Sequence, residues 1–250
     1  MSEVKLINGD CIDEMQKLID DGVKVDMVLT DPPYGTTACK WDSIIPFEPM
    51  WKCLEGLCYN TTPILLFGTE PFSSNLRMSN IKKYRYDWIW QKSRFTNFLF
   101  VKKQPAKITE NISVFYKNQP NYIPQMEKGK PYTRKATDKP KTYDLMNNPA
   151  KDKGKINKSG LRYPKNILKF KFHNVGNYHP TQKPIKLLSY LIKTYTKEND
   201  TVLDFTMGSG STGVACLQTN RNFIGIELDE KYYNIAKQRI NEAKAQRRLI

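Results

Sequence analysis

The sequence predicts an α/β fold with a seven-stranded, mostly parallel sheet and helices on both of its faces. Seven short segments are rich in aliphatic, β-branched or aromatic residues, as buried strands are. Segments with the apolar spacing of helices lie between several of them, and this alternation favours parallel strands. A glycine-rich turn at residues 208–213 follows one strand and opens a helix, which is the third observation.

The predicted elements form two stretches that flank a basic middle segment. The strands are residues 4–8, 25–30, 63–67, 85–90, 112–116, 201–206 and 222–227, and the helices are residues 12–21, 47–59, 185–196, 213–219 and 230–247. The apolar residues of the last helix fall on one face, and Asp229 is suited to cap its N-terminus. Trp88 and Trp90 point to the same face of their strand, and we expect them to pack in the core.

Composition restricts the class of protein. The 250 residues include 40 Lys and Arg against 25 Asp and Glu, a formal net charge of +15 at pH 7, which favours a polyanionic partner such as nucleic acid, or an anionic membrane surface. The longest aliphatic and aromatic run, residues 64–67, is far shorter than the ~20 residues of a membrane span, so an integral membrane protein is not expected. The N-terminal residues show no secretory signal pattern, and we expect a cytoplasmic protein.

The cysteines predict neither a disulfide framework nor a metal site. Their number, five, is odd, and they are scattered along the chain, which fits a reducing compartment. Cys53 and Cys58 are separated by four residues, but the chain has two histidines, His173 and His179, too few for a tetrahedral zinc site. We expect the cysteines to act as small apolar side chains.

The middle of the chain is predicted to be a loop-rich insert. Residues 117–173 contain 15 Lys and Arg but four Asp and Glu, and six prolines interrupt them. Aromatic residues alternate with the lysines, a pattern typical of contacts with phosphates and bases. A disordered, solvated linker is the alternative. We therefore divide the chain into two halves of one core, residues 1–116 and 175–250, and a basic insert at residues 117–174.

The glycine-rich turn is the strongest local motif. The pattern Gly208-x-Gly210-x-x-Gly213 between a strand and a helix is typical of nucleotide-cofactor turns, because glycine lets the backbone fold tightly and a ligand approach closely. Glu227 ends the next strand, 19 residues after Gly208, where a carboxylate can accept hydrogen bonds from both ribose hydroxyls. Two other interpretations of the motif are open: the turn of a nicotinamide-dependent dehydrogenase, and an ordinary strand-to-helix turn that binds no cofactor.

The position of this turn predicts that the two ends of the chain meet in one sheet. The 37 residues after Gly213 are too few to complete a Rossmann-like sheet, so the missing strands come from the N-terminal part. Read as a circular permutation, the strand at residues 4–8 follows the last helix in space. Four successive strand ends then carry Asp204, Glu227, Asp10 and Asp31. Ligands of open α/β sheets bind at this carboxyl edge.

A turn stiffened by proline, Asp31-Pro32-Pro33-Tyr34, follows the strand at residues 25–30. The prolines fix φ and remove backbone donors, so the turn offers hydrogen-bond acceptors. The Asp31 carboxylate and the Pro32 carbonyl can accept from an amino group, and the Tyr34 ring offers a face to a planar base. Two acceptors on an exocyclic amine favour a pyramidal nitrogen whose lone pair points at an electrophile such as a sulfonium-bound methyl group.

Together these motifs resemble those of the β-class DNA amino-methyltransferases, the circularly permuted group in which the catalytic motif precedes the S-adenosylmethionine motif. The resemblance rests on Asp31-Pro32-Pro33-Tyr34, Gly208-Ser209-Gly210 and His179-Pro180-Thr181-Gln182-Lys183-Pro184, and it covers nearly the whole chain except the insert. It implies the class I methyltransferase fold and S-adenosylmethionine as cofactor. It also implies double-stranded DNA as substrate, extrusion of the target base and target recognition by the insert. Members of the family often form dimers.

The resemblance assigns roles to individual residues. Catalysis falls to Asp31, Pro32, Pro33 and Tyr34. The residues assigned to cofactor binding are Asp10, Cys11, Asp31, His179, Lys183, Asp204, Phe205, Thr206, Gly208, Gly210, Ser211, Thr212 and Glu227. Within this set, Asp10 and the Cys11 backbone contact the cofactor adenine, Glu227 binds the ribose, and residues 179–183 cover the methionine part. The family commonly has Asp-Pro-Phe where this chain has Asp204-Phe205-Thr206.

The first residue of the proline-containing turn favours adenine as the target. The family pairs Asp at this position mostly with N6 of adenine and Ser mostly with N4 of cytosine. Methylation of N4 of cytosine or of an RNA amine by the same turn, and a DNA-binding specificity protein without catalysis, are the alternatives. Methylation of cytosine C5 needs a cysteine that in its family follows a proline, and none of the five cysteines does.

Overall fold

The computed structural model of the protein describes residues 2–35, 42–136, 155–171 and 182–248. An eight-stranded sheet lies at its centre. In spatial order its strands are β1 (Val4–Asn8), β12 (Asn222–Glu227), β11 (Thr201–Asp204), β2 (Met27–Thr30), β3 (Ile64–Gly68), β5 (Thr109–Phe115), β4 (Tyr84–Gln91) and β10 (Ile167–Lys169). The first and last strands of the chain, β1 and β12, are therefore hydrogen-bonded neighbours.

Most strand pairs are parallel, which confirms the predicted fold class. Only β5 runs antiparallel to its neighbours, β3 and β4. All seven predicted strands are present in the sheet. The eighth strand, β10, comes from the segment predicted to be a loop-rich insert, and it pairs in parallel with β4. Its central residue, Leu168, is buried, so an apolar side chain extends the core at this edge.

Within the described residues, six helices cover the two faces of the sheet. They are α1 (Cys11–Asp20), α2 (Phe47–Leu57), α3 (Phe72–Ser79), α4 (Ile185–Tyr195), α5 (Ser211–Gln218) and α6 (Glu230–Arg248). Helix α3 was not predicted from the sequence, because its Ser and Asn residues have weak helix propensity. Among the helices of the described residues, none is long and apolar enough to cross a membrane.

Each face of the sheet has its own apolar core. Met27 and Leu29 of β2 pack with α4, α5 and α6, whereas Val28 between them packs with α1, α2 and α3. The strands are therefore buried on both faces, as expected for parallel strands between two helical layers. Trp88 and Trp90 are buried as predicted, and Trp88 Nε1 donates a hydrogen bond to the Tyr195 hydroxyl (2.7 Å).

The chain divides into two compact units. The larger comprises Met1–Ile123 and Asn166–Ile250 and contains the sheet, and the smaller is Pro124–Lys165. In the described part of the smaller unit, β6 (Glu127–Lys128) pairs with β9 (Leu161–Arg162), and β7 (Tyr132–Arg134) pairs with β8 (Lys155–Asn157). The smaller unit is shorter than the predicted insert at both ends. Before it, the Ile123 N–H bonds the Thr194 carbonyl (2.7 Å), and after it β10 joins the sheet.

The described cysteines are free thiols. Cys11, Cys53 and Cys216 are buried and Cys58 is partly buried, whereas Cys39 lies outside the described residues. Burial raises the pKa of the Cys58 thiol to about 12, so this thiol is neutral at physiological pH. These four cysteines belong to or pack against the two apolar cores.

Gly210 fixes the glycine-rich turn against α6. It precedes α5 with a φ of +77°, a conformation that L side chains adopt at a cost. A Cβ atom at this position would lie 2.9 Å from the Cβ of Ala236 on α6, closer than such atoms pack. Both the backbone conformation and the close approach of α6 therefore require glycine here.

We expect Gly210→Ala to lower the free energy of unfolding by about 2–4 kcal/mol, because left-handed strain adds to overpacking. Gly22→Ala is the matched control. Gly22 has a φ of +72°, but no heavy atom lies within 4 Å of the position of an added Cβ, so the strain acts alone. Chemical denaturation of both variants should show the larger loss for Gly210→Ala. Equal losses would contradict a steric role for α6.

Candidate active site

A cavity of about 440 Å³ opens at the carboxyl edge of the sheet, a volume typical of small-molecule sites. Residues that end or follow β1, β2, β11 and β12 line it, so the four strand ends noted in the sequence meet. The predicted site residues that line the cavity are Asp10, Cys11, Asp31, Pro32, Pro33, Tyr34, Lys183, Asp204, Phe205, Thr206, Gly208, Ser211, Thr212 and Glu227. Gly210 instead faces α6, and His179 lies outside the described residues.

Glu227 joins the end of β12 to the glycine-rich turn. Its Oε2 atom accepts a hydrogen bond from the Gly208 N–H (2.8 Å), and its Oε1 atom accepts one from the Asp229 N–H (2.9 Å). Burial raises the pKa of the Glu227 carboxyl, although these backbone donors favour the charged form. The carboxylate therefore holds the turn in place and retains unused lone pairs on the cavity wall.

Asp204 is the buried carboxyl at the end of β11. It accepts a hydrogen bond from the Thr30 hydroxyl at the end of β2 (3.0 Å) and a weaker one from the Thr206 N–H (3.3 Å). Burial raises the pKa of Asp204 to about 7, although hydrogen bonds from the Thr212 and Thr30 hydroxyls favour the charged form. The bond between Thr30 and Asp204 connects residues that are 174 positions apart in the sequence.

Asp10 caps α1 and lines the cavity. Its Oδ1 atom accepts hydrogen bonds from the N–H groups of Ile12 (2.8 Å) and Asp13 (3.3 Å), which satisfies donors at the helix N-terminus. Burial raises the pKa of the neighbouring Cys11 thiol to about 12, so the thiol is neutral. The first turn of α1 therefore presents a fixed carboxylate beside an apolar surface.

The turn at residues 31–34, called the proline turn below, is anchored from three sides. The Oδ1 atom of Asp42 accepts the N–H of Tyr34 (2.8 Å) and of the following residue (2.9 Å). The Thr206 hydroxyl donates to the Asp31 carbonyl (3.0 Å), which ties the turn to the loop after β11. The Tyr34 ring packs against Phe72 of α3, with centroids 5.1 Å apart, so Phe72 covers part of the aromatic surface that the sequence analysis offered to a base.

A network of buried and partly buried charges surrounds the proline turn. The Tyr34 hydroxyl contacts Asp31 Oδ1 and Glu110 Oε1 (3.1 Å for the latter). Lys183 Nζ lies 2.6 Å from Asp31 Oδ2 and 2.7 Å from Glu110 Oε1. Lys92 Nζ lies 2.6 Å from the second Glu110 oxygen. The ammonium group of Lys183, which the resemblance assigned to the cofactor, is therefore bound to the proline turn.

The network shifts the pKa values of its members. Burial raises the pKa of the Asp31 carboxyl, which Lys183 partly offsets and Glu110 reinforces. Although burial acts in the opposite direction, Lys183 and Lys92 lower the pKa of Glu110 to about 2. Against burial, the two carboxylates raise the pKa of Lys183. Glu110 and Lys183 are therefore charged at neutral pH, and of the two carboxyl groups only Asp31 has a pKa that is raised on balance.

Comparison with known families identifies the arrangement. Residues 25–238 match the model of the N6/N4 methyltransferase family, whose description is DNA methylase. The chain belongs to this family of DNA methyltransferases.

Individual relatives of this DNA methyltransferase resemble it over nearly its whole length. It is 27% identical over 267 residues to the type II methyltransferase M2.MboI of Moraxella bovis, covering 95% of this chain and 87% of that protein. The structure of M1.HpyAVI with SAM has 23% identity and a TM-score of 0.65, covering 95% of this chain and 99% of that one. The cytosine-N4-specific PvuII DNA methyltransferase has 14% identity and a TM-score of 0.64, covering 98% and 93%. Both structures share the fold of this chain.

Three residues around the proline turn of the methyltransferase were not predicted as site residues. Glu110 and Lys92 reach the turn because β5 is antiparallel and starts at the edge where β4 ends, and strand direction is not visible in the sequence. An acidic residue beside a buried strand was the available signal for Glu110. Asp42 lies eight residues after Tyr34 and has no motif of its own.

We expect Glu110→Gln to move the acid limb of the pH profile of methyl transfer to lower pH. The Glu110 charge raises the pKa of Asp31, so its removal lets Asp31 ionise at lower pH. The measurement is kcat/KM across the acidic range. Glu55→Gln, which removes an exposed carboxylate paired with Lys83, is the control. An unchanged acid limb, or one at higher pH, would contradict coupling between Glu110 and the proline turn.

Proposed function

We propose that this protein transfers the methyl group of S-adenosylmethionine to the exocyclic N6 amine of adenine in double-stranded DNA, with the target base extruded from the helix. The observation that carries the proposal is the shared cavity. The proline turn with Asp31 lines the same space as the glycine-rich turn and Glu227. A methyl donor and a base amine can be held there together, and such positioning lowers the barrier of a two-substrate reaction.

The cavity residues suit S-adenosylmethionine, which supplies an electrophilic methyl group on a sulfonium centre. The Glu227 carboxylate accepts one backbone hydrogen bond at each oxygen, and its remaining lone pairs fit ribose hydroxyls. Gln182 also lines the cavity, and its buried Oε1 atom has no hydrogen-bond partner among the described residues, so a ligand donor would satisfy it. Asp204 and Asp31 add carboxyl groups that suit a cationic ligand.

The proline turn supplies the acceptors for the target amine. Asp31 and Pro32 both line the cavity, and the structure gives the Pro32 carbonyl no donor within the described ranges. Acceptors on both amine hydrogens direct the nitrogen lone pair toward the methyl carbon, which stabilises the transition state. The amine gains a methyl group and loses one proton. The raised pKa of Asp31 suits this carboxylate to receive that proton.

Adenine is the proposed base because Asp31 stands at the first position of the turn. The family mostly carries Ser there when the target is N4 of cytosine. Methylation of N4 of cytosine is the second candidate, because the cytosine-N4-specific PvuII enzyme shares the fold. Both reactions use the same amine chemistry, so the distinction depends on how the base is seated.

The circularly permuted, β-class organisation is part of the proposal. It is supported by the order of the motifs, in which the proline turn precedes the glycine-rich turn, and by the pairing of β1 with β12. Residues 1–116 and 175–250 then form the two halves of the catalytic core, and the basic segment 117–174 recognises the target. A cytoplasmic location is also part of the proposal. A homodimer is proposed on the resemblance alone, since members of the family often form dimers, and light scattering tests it.

Nucleoside mass spectrometry tests the function. We expect bacteriophage or plasmid DNA without prior methylation to gain N6-methyladenine when it is incubated with the protein and S-adenosylmethionine. N4-methylcytosine in its place would select the second candidate. The absence of any methylated nucleoside would contradict the proposal.

Asp31→Ala tests the catalytic assignment. We expect it to reduce methyl transfer by about 100-fold or more, the effect of removing a group that stabilises a transition state. Binding of DNA should stay close to that of the wild type, and Glu55→Ala is the surface control. Methyl transfer at the wild-type rate by Asp31→Ala would contradict the assignment.

A further inference from the structure

The segment that joins β4 to β5, residues 92–108, ends in an exposed apolar tip and is called the β4–β5 loop below. A short 3₁₀ turn, Phe98–Phe100, forms the tip. The side chains of Phe98, Leu99 and Phe100 are 64%, 77% and 53% exposed. Phe95 and Val101 extend the same exposed stretch. A contiguous group of large, exposed apolar side chains is typical of an interaction surface, because contact between such side chains and water is unfavourable.

Hydrogen bonds give the β4–β5 loop a defined shape. The Lys92 N–H donates to the Ile108 carbonyl (2.7 Å), which closes the base of the loop. Asn97 bonds across the loop, since its Nδ2 donates to the Pro105 carbonyl (2.9 Å) and its Oδ1 accepts from the Lys107 N–H (2.6 Å). At the tip, the Phe100 N–H donates to the Asn97 carbonyl (2.9 Å). These backbone bonds and the Asn97 side chain therefore hold the loop in a conformation that exposes the apolar tip.

The charges around the tip suit a polyanion. Residues 92–109 contain five basic residues and no acidic one. Arg94, Lys102 and Lys103 are exposed on the two sides of the tip. Apolar side chains flanked by cations are the combination with which proteins enter a stacked duplex, because the cations contact phosphates while the apolar group contacts bases.

The position of the β4–β5 loop relates it to the active site. The strand β4 is parallel to β3, so it ends at the carboxyl edge where the cavity opens. At the base of the loop, Lys92 pairs with Glu110, and Glu110 contacts the Tyr34 hydroxyl of the proline turn. The residues that begin and follow the loop are thus part of the network around Asp31. A polymer that presents a base to the cavity therefore approaches the edge of the sheet from which this loop extends.

We propose that the tip of the β4–β5 loop is a wedge that enters double-stranded DNA beside the target base and stabilises the duplex from which that base has been extruded. The proposal rests on the proposed function, since it concerns how the target reaches the cavity. Extrusion of a base breaks its pairing and stacking in the duplex. Contact of Phe98 and Leu99 with the exposed base faces removes apolar surface from water and offsets part of that cost.

The experiment compares paired and mispaired targets. Sequencing of DNA methylated by the wild type gives the recognition site, and two short duplexes then carry it, one fully paired and one with a mismatch opposite the target base. A mismatch lowers the cost of extrusion. The test variant combines Phe98→Ser with Leu99→Ser. Met78→Ser is the matched control, because Met78 is 69% exposed on α3 and lies outside the loop.

We expect the double variant to lose about tenfold or more in kcat/KM on the paired duplex, and to come within about threefold of the wild type on the mispaired one. The control should match the wild type on both. Wild-type activity of the double variant on the paired duplex would overturn the wedge. Equal losses on both duplexes would also overturn it. If light scattering then shows a change in molar mass, the tip belongs to an interface between copies of the chain. If the wild-type protein methylates no DNA in the initial sequencing step, the proposed function is contradicted, and the wedge with it.

Discussion

The parallel pairing of β2 with β11 is the contact on which the site depends. It aligns Val28 with Leu203, so that Asp31 and Asp204 follow neighbouring strand ends although they are far apart in the sequence. Two hydrogen bonds complete the connection. The Thr30 hydroxyl donates to the Asp204 carboxylate, and the Thr206 hydroxyl donates to the Asp31 carbonyl. The N-terminal and C-terminal parts of the chain each supply part of the cavity wall. The cavity is complete only when the pairing of β2 with β11 brings the two parts together.

The second constraint is electrostatic. Two carboxylates and two ammonium groups lie around the proline turn; Glu110 and Lys183 are buried and Asp31 and Lys92 are partly buried, so an unpaired charge there would be costly. Glu110 pairs with both lysines, and its low pKa keeps it charged. The arrangement leaves Asp31 in a position where its proton affinity is raised by burial while its orientation is fixed by Lys183 and Tyr34. A carboxylate held in this way is suited to meet an amine without rearranging.

The elements that bind small and large ligands lie at the same edge of the sheet. The same edge of the sheet carries the proline turn, the glycine-rich turn and the base of the β4–β5 loop, because parallel strands end together. Several carboxyl groups are among the residues that line the cavity, whereas the exposed β4–β5 loop, which starts at the same edge of the sheet, is basic and apolar. The carboxyl groups suit a small cationic cofactor, and the basic loop suits a polyanion. The two kinds of ligand therefore have separate binding surfaces at one edge of the sheet.

The sequence by itself determined the α/β class, all seven predicted strands and the residues that line the cavity at the strand ends, because local periodicity and short motifs encode them. It did not show α3, whose propensity is weak, or β10, whose three residues become a strand when they pair with β4. Tertiary structure alone decided the roles of Glu110, Lys92 and Lys183, because their partners come from strands and loops distant in the sequence and from the antiparallel direction of β5. It also showed that Gly210 serves the packing of α6, since the atom that a glycine excludes is known only when its neighbour is in place.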